Sequence, residues 1–180
     1  MVGVDPAPAV PSRNDRRLRD MVLSMAVLLV PIALLLLFYR FVLSGDTPVS
    51  VDPAPTIQEA QQAGLFPVAV PKPGSDWHVQ SATFRRGSGN ATLRIGYVDP
   101  HDRPVQLVES GLAPDTLLPA ELGDKAKPAE GTFRAGGRVW RLFDARQGEK
   151  ALVSAQPGVT LIIVGSTDLT SLQELAAGLG

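Results

Sequence analysis

The sequence predicts an N-terminal transmembrane helix followed by one α+β domain, in which an antiparallel sheet of about six or seven strands is packed by a C-terminal helix. Three observations lead to this fold class. Residues 21–43 form a long apolar run. Residues 78–164 contain short segments that alternate apolar and polar residues between turn signals, which is typical of half-buried strands. Residues 169–179 repeat leucine and alanine at helical spacing, which predicts a final helix with one apolar face.

The apolar run from Met21 to Leu43 contains no charged residue before Arg40. Because a helix rises about 1.5 Å per residue, this length crosses a hydrocarbon layer of about 30 Å. The run is apolar on every face, whereas a core helix of a soluble protein keeps a polar stripe. It is also longer than the apolar segment of a signal peptide, which has about 7–15 residues. We therefore expect a membrane anchor that is not cleaved.

Charge on the two sides of the anchor predicts its orientation. Residues 1–20 contain four arginines, at positions 13, 16, 17 and 19, whereas Asp46 and Asp52 follow the anchor. Basic flanks stay in the cytoplasm. We expect residues 1–20 to be a cytoplasmic basic tail without regular structure and the C-terminal domain to be extracytoplasmic. The lipid bilayer is then the first partner, bound through residues 21–43.

Composition limits what the rest of the chain can do. Residues 44–55 are rich in proline and predict an extended linker, and residues 56–180 are long enough for one domain with one core. From Ser44 onward the chain has 15 acidic and 12 basic residues, so we expect no nucleic-acid partner. The chain has no cysteine, which excludes disulfides and cysteine-based catalysis. Arginine far outnumbers lysine, which favours a GC-rich bacterial genome.

The elements of the domain follow from local pattern. A capping box at Thr56–Glu59 predicts a short helix that ends at Gly64, and an apolar extended segment follows over Leu65–Pro71. Strands are predicted over residues 78–85, 92–98, 104–109, 132–135, 138–144, 150–155 and 159–164. Residues 114–122 could form one short helix or two turns, and residues 123–130 predict a polar loop. The helices are expected on one face of the sheet.

Few residues could carry chemistry. Asp99, His101 and Asp102 form the only cluster of histidine and aspartate, but consecutive turn residues seldom converge on a metal, so a turn is the preferred interpretation. His78 lies beside Trp77 in a predicted strand. With two histidines and no nucleophile motif, the sequence offers almost nothing for a hydrolase. We predict no catalytic, cofactor-binding or metal-binding residue, no cofactor and no enzymatic activity.

Six arginines lie on or near the predicted strands: Arg85, Arg86, Arg94, Arg134, Arg138 and Arg141. A sheet face that collected them would bind an anionic partner. The preferred interpretation is a solvated face on which acidic residues are interspersed. Trp77 and Trp140 are expected to be core residues, and the alternative is that either one flanks a groove.

Several segments resemble a known family. They are Ala63–Pro71, the pair Asp76-Trp77, Gly137–Arg141, Ala151–Val153 and Val159–Gly165, together with the basic tail, the single anchor and the leucine-rich last helix. In these features the chain resembles the actinobacterial membrane-anchored proteins of domain-of-unknown-function family 4245. The resemblance covers nearly the whole chain and implies an actinobacterial source and anchoring in the inner membrane. The family has no established activity, so the resemblance implies no catalytic residue.

The leading functional hypothesis is a protein-interaction module of the bacterial cell envelope, with an envelope protein as its partner. The alternative is a small-ligand or lipid-binding domain with an apolar pocket between the sheet and the final helix. An enzyme is the third hypothesis, and it would require His78, His101 and carboxylates to meet in one cleft.

Overall fold

The computed structural model describes residues 13–38 and 50–179, and the chain divides into two compact units, one up to Thr47 and one from Pro48. In the first unit, helix α1 spans Arg13–Phe38 and continues through Pro31. Its segment Met21–Phe38 has a mean hydropathy of 2.9 and no buried residue, so it is long and apolar enough to cross a membrane. Residues 39–43 of the predicted anchor and residues 44–49 of the predicted linker lie outside the described residues.

Helix α1 begins inside the predicted basic tail. Residues 13–20 are helical, so the prediction of an irregular tail is wrong for them, and residues 1–12 lie outside the described range. The reason is that helix propagation costs little once the apolar segment has nucleated a helix. Arginine and leucine are good helix formers, and residues 13–20 contain neither proline nor glycine.

The second unit is built on one sheet of seven antiparallel strands, which confirms the predicted fold class. The strands are β1 (His78–Arg86), β2 (Ala91–Val98), β3 (Pro104–Ser110), β4 (Lys127–Ala135), β5 (Arg138–Asp144), β6 (Lys150–Gln156) and β7 (Val159–Gly165). Their order across the sheet is β1-β2-β3-β7-β6-β5-β4. Two sets of consecutive strands are therefore joined in the middle by the pairing of β3 with β7, in which Leu107 lies opposite Ile163.

Two helices cover the first face of the sheet, which is the face that carries Leu93, Leu107 and Ile163. They are α2 (Ala54–Ala63) and α4 (Leu169–Ala177). Their apolar sides pack with these strand residues into the larger of two buried clusters. Trp140 is fully buried there and Trp77 is 7% exposed, so the prediction that both tryptophans are core residues is confirmed. Burial of this apolar area is the main stabilising term of the domain.

A third helix, α3 (Pro114–Leu122), lies on the second face, so the prediction that all helices share one face is wrong. Leu117 and Leu122 of α3 pack with Val108, Ile162 and the other inward residues of that face into a separate buried cluster. The central strand β7 is buried on both sides, which explains why its sequence is a continuous apolar run. The sequence does not predict that α3 packs on the second face, because the helix is short and contains Pro119.

Two element boundaries also differ from the predictions. Helix α2 begins at Ala54, inside the predicted linker, with Pro53 as its N-cap, so the predicted capping box at Thr56 does not start the helix. Asp52 accepts the Ala54 backbone N–H at 2.9 Å. Gly64 ends the helix in the left-handed conformation, as predicted. Strand β4 begins at Lys127, inside the predicted polar loop. Strand β4 lies at the edge of the sheet, and its register with β5 shifts between Pro128 and Thr132. Its first half does not alternate apolar and polar residues, and the prediction therefore missed it.

Candidate interaction surface

The cluster around Asp99 joins the β2–β3 turn to the start of α4. The Asp99 side chain is fully buried. It accepts the backbone N–H groups of His101 and Arg103 at 2.9 Å each, Nε of Arg103 at 2.9 Å and the Thr167 hydroxyl at 2.6 Å. Arg103 also donates to Asp168 at 2.6 Å, and Asp168 caps α4 by accepting the Ser171 N–H. The structure therefore places the predicted turn residues in a turn that anchors a helix.

The electrostatics of this cluster keep both of its carboxylates charged. Burial alone would raise the pKa of Asp99, but the hydrogen bonds from Thr167, Arg103 and His101 together hold it below its ordinary value. The Ser171 N–H and the Arg103 guanidinium lower the pKa of Asp168 to about 2. Both oxygens of Asp99 already accept hydrogen bonds from the protein. This carboxylate therefore connects the β2–β3 turn to the segment before α4 and is not available as a general base.

Asp99 and the histidines form no metal-binding cluster in the structure. His101 is exposed, and its Nδ1 lies 3.2 Å from Nη2 of Arg103. His78 is half-buried at the start of β1. Within residues 13–38 and 50–179, no group of three or more histidine, aspartate or glutamate side chains could hold a metal ion.

A buried glutamate lies on the first face, and sequence analysis did not single it out. Glu109 on β3 is fully buried, and its Oε2 accepts the backbone N–H of Ala69 at 2.9 Å. This bond fastens the extended segment Leu65–Pro71 to the sheet. Burial raises the pKa of Glu109 to about 7, while the Ala69 hydrogen bond and the charge of Arg138 oppose that rise. The only sequence signal was a glutamate at an inward position of an alternating strand.

A small cavity lies on the first face. An apolar cavity of about 90 Å³ lies between α4 and the sheet, with Phe133, Leu142, Leu152 and Leu169 in its wall. Sites for drug-sized ligands have volumes of about 300–1,000 Å³. This cavity is therefore too small for the predicted alternative of a ligand pocket beneath the final helix.

A larger cleft of about 370 Å³ opens on the second face, and we call it the second-face cleft. Its wall includes Gln80, Gly96, Gln106, Arg146, Glu149 and Val164. Arg146 and Glu149 form an ion pair at 3.9 Å, so their charges largely compensate each other. Neither glutamine side chain has a hydrogen-bond partner within the described part of the chain. The cleft thus offers amide donors and acceptors beside apolar residues such as Pro104, a combination suited to a peptide segment.

Helix α3 lies beside this cleft and is held by polar contacts. Arg94 on β2 forms an ion pair with Glu121 of α3. Arg146 donates to the Glu121 backbone carbonyl, so one residue of the cleft wall also fixes the end of the helix. Val164 belongs both to the cleft wall and to the apolar cluster beneath α3. Arg146 and Val164 thus connect the cleft wall to α3.

The structure does not bring the six predicted arginines together. Arg94 forms an ion pair with Glu121, and Arg138 donates to the Leu179 carbonyl. Nη2 of Arg86 lies 3.8 Å from Oε1 of Glu59. The remaining three arginines are Arg85, Arg134 and Arg141. They are exposed, and none has an acidic partner within residues 13–38 and 50–179. Arg85 lies on β1 at one edge of the sheet, whereas the other two lie on β4 and β5 at the opposite edge. Local pattern could not separate these groups, because acidic partners such as Glu121 lie far away in sequence.

Comparison with known proteins identifies the family of the chain. Searches of curated proteins and of solved structures gave no match. The family described as protein of unknown function DUF4245 matches residues 13–179, which include α1 and almost the whole domain. The match covers far more than half of the chain, so the chain belongs to the DUF4245 family.

Proposed function

We propose that this protein is a single-pass membrane protein of the bacterial cell envelope whose extracytoplasmic domain binds another envelope protein. The observation that carries the proposal is the contrast between the two faces of the sheet. On the first face the cavity between α4 and the sheet measures only about 90 Å³, whereas the second face has an open cleft of about 370 Å³ whose wall combines polar groups with apolar residues such as Pro104 and Val164. The second-face cleft is the proposed contact surface, and polar groups there would fix the orientation of a bound chain segment.

The proposal assigns the domain to binding and not to catalysis. A catalytic carboxylate needs a free oxygen that faces substrate, whereas both oxygens of Asp99 accept hydrogen bonds from the protein. The second-face cleft contains one acidic residue in its wall, Glu149, and it is paired with Arg146. A tethered domain with this cleft is better suited to holding a partner than to transforming a substrate.

The proposed membrane topology can be tested with single cysteines, because the chain has none of its own. We expect Ser75→Cys, at an exposed loop of the domain, to react in intact cells with a maleimide that does not cross membranes. Ser12→Cys in the basic tail is expected to react only after the cells are opened, since the tail is proposed to be cytoplasmic. Labelling of Ser12→Cys in intact cells, or release of the protein by alkaline extraction, would contradict the proposed topology.

The proposed contact surface can be tested by photocrosslinking of the full-length protein in its own membrane. A photoreactive residue at Gln106, in the second-face cleft, is expected to form a discrete adduct with one envelope protein. The matched control is Gln62, an exposed glutamine of α2 on the other side of the sheet, which is expected to form none. The Gln106 adduct should persist when a different transmembrane helix replaces residues 21–43.

Three results would change this assignment. Equal adducts at both positions would show that the cleft is not the contact surface. An adduct lost on exchange of the helix would assign the contact to the anchor. A small molecule recovered from the cleft, with no protein adduct, would favour the alternative function of ligand binding.

A further inference from the structure

Charge is unevenly distributed over the domain. Strands β4 and β5 and their turn, residues 127–144, carry four basic and two acidic residues. The rest of residues 50–179 carries eight basic and twelve acidic residues. This hairpin is therefore a positive region at one edge of a domain that is otherwise negative. An anionic surface would attract the hairpin and repel the remainder.

Two arginines of the hairpin share its second face with an apolar residue. Arg134 lies opposite Val139 in the strand register, and Arg141 lies opposite Thr132. All four side chains are exposed, and Val139 is 46% exposed. We call these four residues the arginine patch. Arg134 and Arg141 lie diagonally across the strand pair, where side chains about 7–8 Å apart can contact one surface together.

The arginine patch differs from three other arginines of the domain. Arg94, Arg103 and Arg146 each contact an acidic side chain of the domain. Within residues 50–179, no acidic side chain lies within ion-pair distance of Arg134 or Arg141. A guanidinium group binds phosphate through two parallel hydrogen bonds, so two arginines at this spacing are suited to a phosphate-bearing surface. An exposed valine between them can rest at the apolar boundary of such a surface.

The membrane itself is the anionic surface that the chain keeps within reach. Six residues, 44–49, connect the proposed anchor, residues 21–43, to the described part of the domain, and six residues extend over at most about 22 Å. A tether of this length gives the domain a high effective concentration at the bilayer. We propose that the arginine patch binds the phosphate groups of anionic lipids at the surface of the membrane that holds α1. This inference rests on the proposed membrane anchoring.

The test uses the full-length protein in lipid nanodiscs and measures hydrogen–deuterium exchange of peptides from residues 127–144. One set of discs contains phosphatidylcholine, and the other contains an equal mixture of phosphatidylcholine and phosphatidylglycerol. Exchange in the hairpin is expected to be slower in the mixed discs, by roughly fivefold for each arginine that engages the lipid. Peptides from β7 are expected to exchange equally in both, which shows that the fold is unchanged.

Variants separate the arginine patch from general charge. The double variant Arg134→Gln/Arg141→Gln is expected to lose the slower exchange, whereas Arg85→Gln, which removes an exposed arginine at the opposite edge, is expected to keep it. Equal exchange of the wild-type hairpin in both discs would overturn the inference and favour an acidic protein surface as the occupant. Undiminished protection in the double variant would also overturn it. Failure of the protein to enter discs would instead refute the anchoring on which the inference rests.

Discussion

Replacement of Asp99 by asparagine is expected to lower the free energy of unfolding of the domain by about 3 kcal/mol. The substitution keeps the shape of the side chain but removes the negative charge that faces the Arg103 guanidinium and accepts the Thr167 hydroxyl. Arg103 keeps its ion pair with Asp168, so the cost comes from the hydrogen bonds to a fully buried charged acceptor that are lost or weakened, and from the asparagine N–H groups that would face donors. The loss should appear in urea denaturation as a lower midpoint with an unchanged slope.

The matched control for this variant is Asp102→Asn in the same turn. Asp102 is exposed and has a φ of 60°, a conformation that asparagine also tolerates, so the free energy of unfolding should change by less than about 0.5 kcal/mol. If both variants were equally stable, the Asp99 cluster would not connect the β2–β3 turn to α4.

The pKa values of Asp99 and Asp168 are lowered in the folded state. Their contribution is therefore present above pH 4 and is lost as the pH falls below it.

Glu109 is expected to give the domain the opposite pH dependence at higher pH. Its pKa is about 7 in the folded state and 4.5 in the ordinary, unfolded state. The folded state therefore holds this proton more tightly, and stability from the protonated form is fully present below about pH 4.5 and is lost as the pH rises through 7. The shift corresponds to a loss of about 3 kcal/mol between these limits. Urea denaturation at a series of pH values from 5 to 8 measures it.

The variant Glu109→Gln should remove this slope, because the glutamine cannot ionise but its carbonyl can still accept the Ala69 N–H. Glu59→Gln, at an exposed position of α2, should keep the wild-type slope. Wild-type stability that did not change over this range would contradict the assignment. So would a slope that persisted in Glu109→Gln. Together with the aspartates, Glu109 sets the expected stability maximum between about pH 4 and 5.

Most strands could be predicted because their pattern is local. The alternation of Leu93, Ile95 and Tyr97 identifies β2, and the two glycines at 136 and 137 identify the turn between β4 and β5. Both glycines have positive φ values, which residues with a side chain seldom adopt. The continuous apolar run of β7 also indicated its central position in the sheet.

The errors occurred where a neighbour far away in sequence decides the structure. The first half of β4 lacks alternation, and it is a strand because β5 provides its hydrogen-bond partners. The location of α3 on the second face depends on Leu117 and Leu122 meeting residues of β3 and β7. The helix itself is short and carries a proline, so its sequence does not show which face it covers.

The candidate surface was the least predictable part. The sequence shows six arginines near strands, but only the tertiary structure shows that Glu121, Glu59 and the Leu179 carbonyl occupy three of them. The second-face cleft likewise arises from Gln80, Gln106 and Arg146, which come from separate elements. Local pattern does not reveal that these residues meet.

Local composition and periodicity were sufficient to establish the apolar helix, the number and approximate limits of the strands, the amphipathic last helix and the absence of cysteine chemistry. These features depend on residues that are close together in the chain, so the physical chemistry of a short segment decides them. Sheet order, the face that each helix covers, and the burial of Asp99 and Glu109 were decided by the pairing of distant segments such as β3 and β7. A polar side chain becomes structural or available for binding only through the neighbours that this pairing supplies.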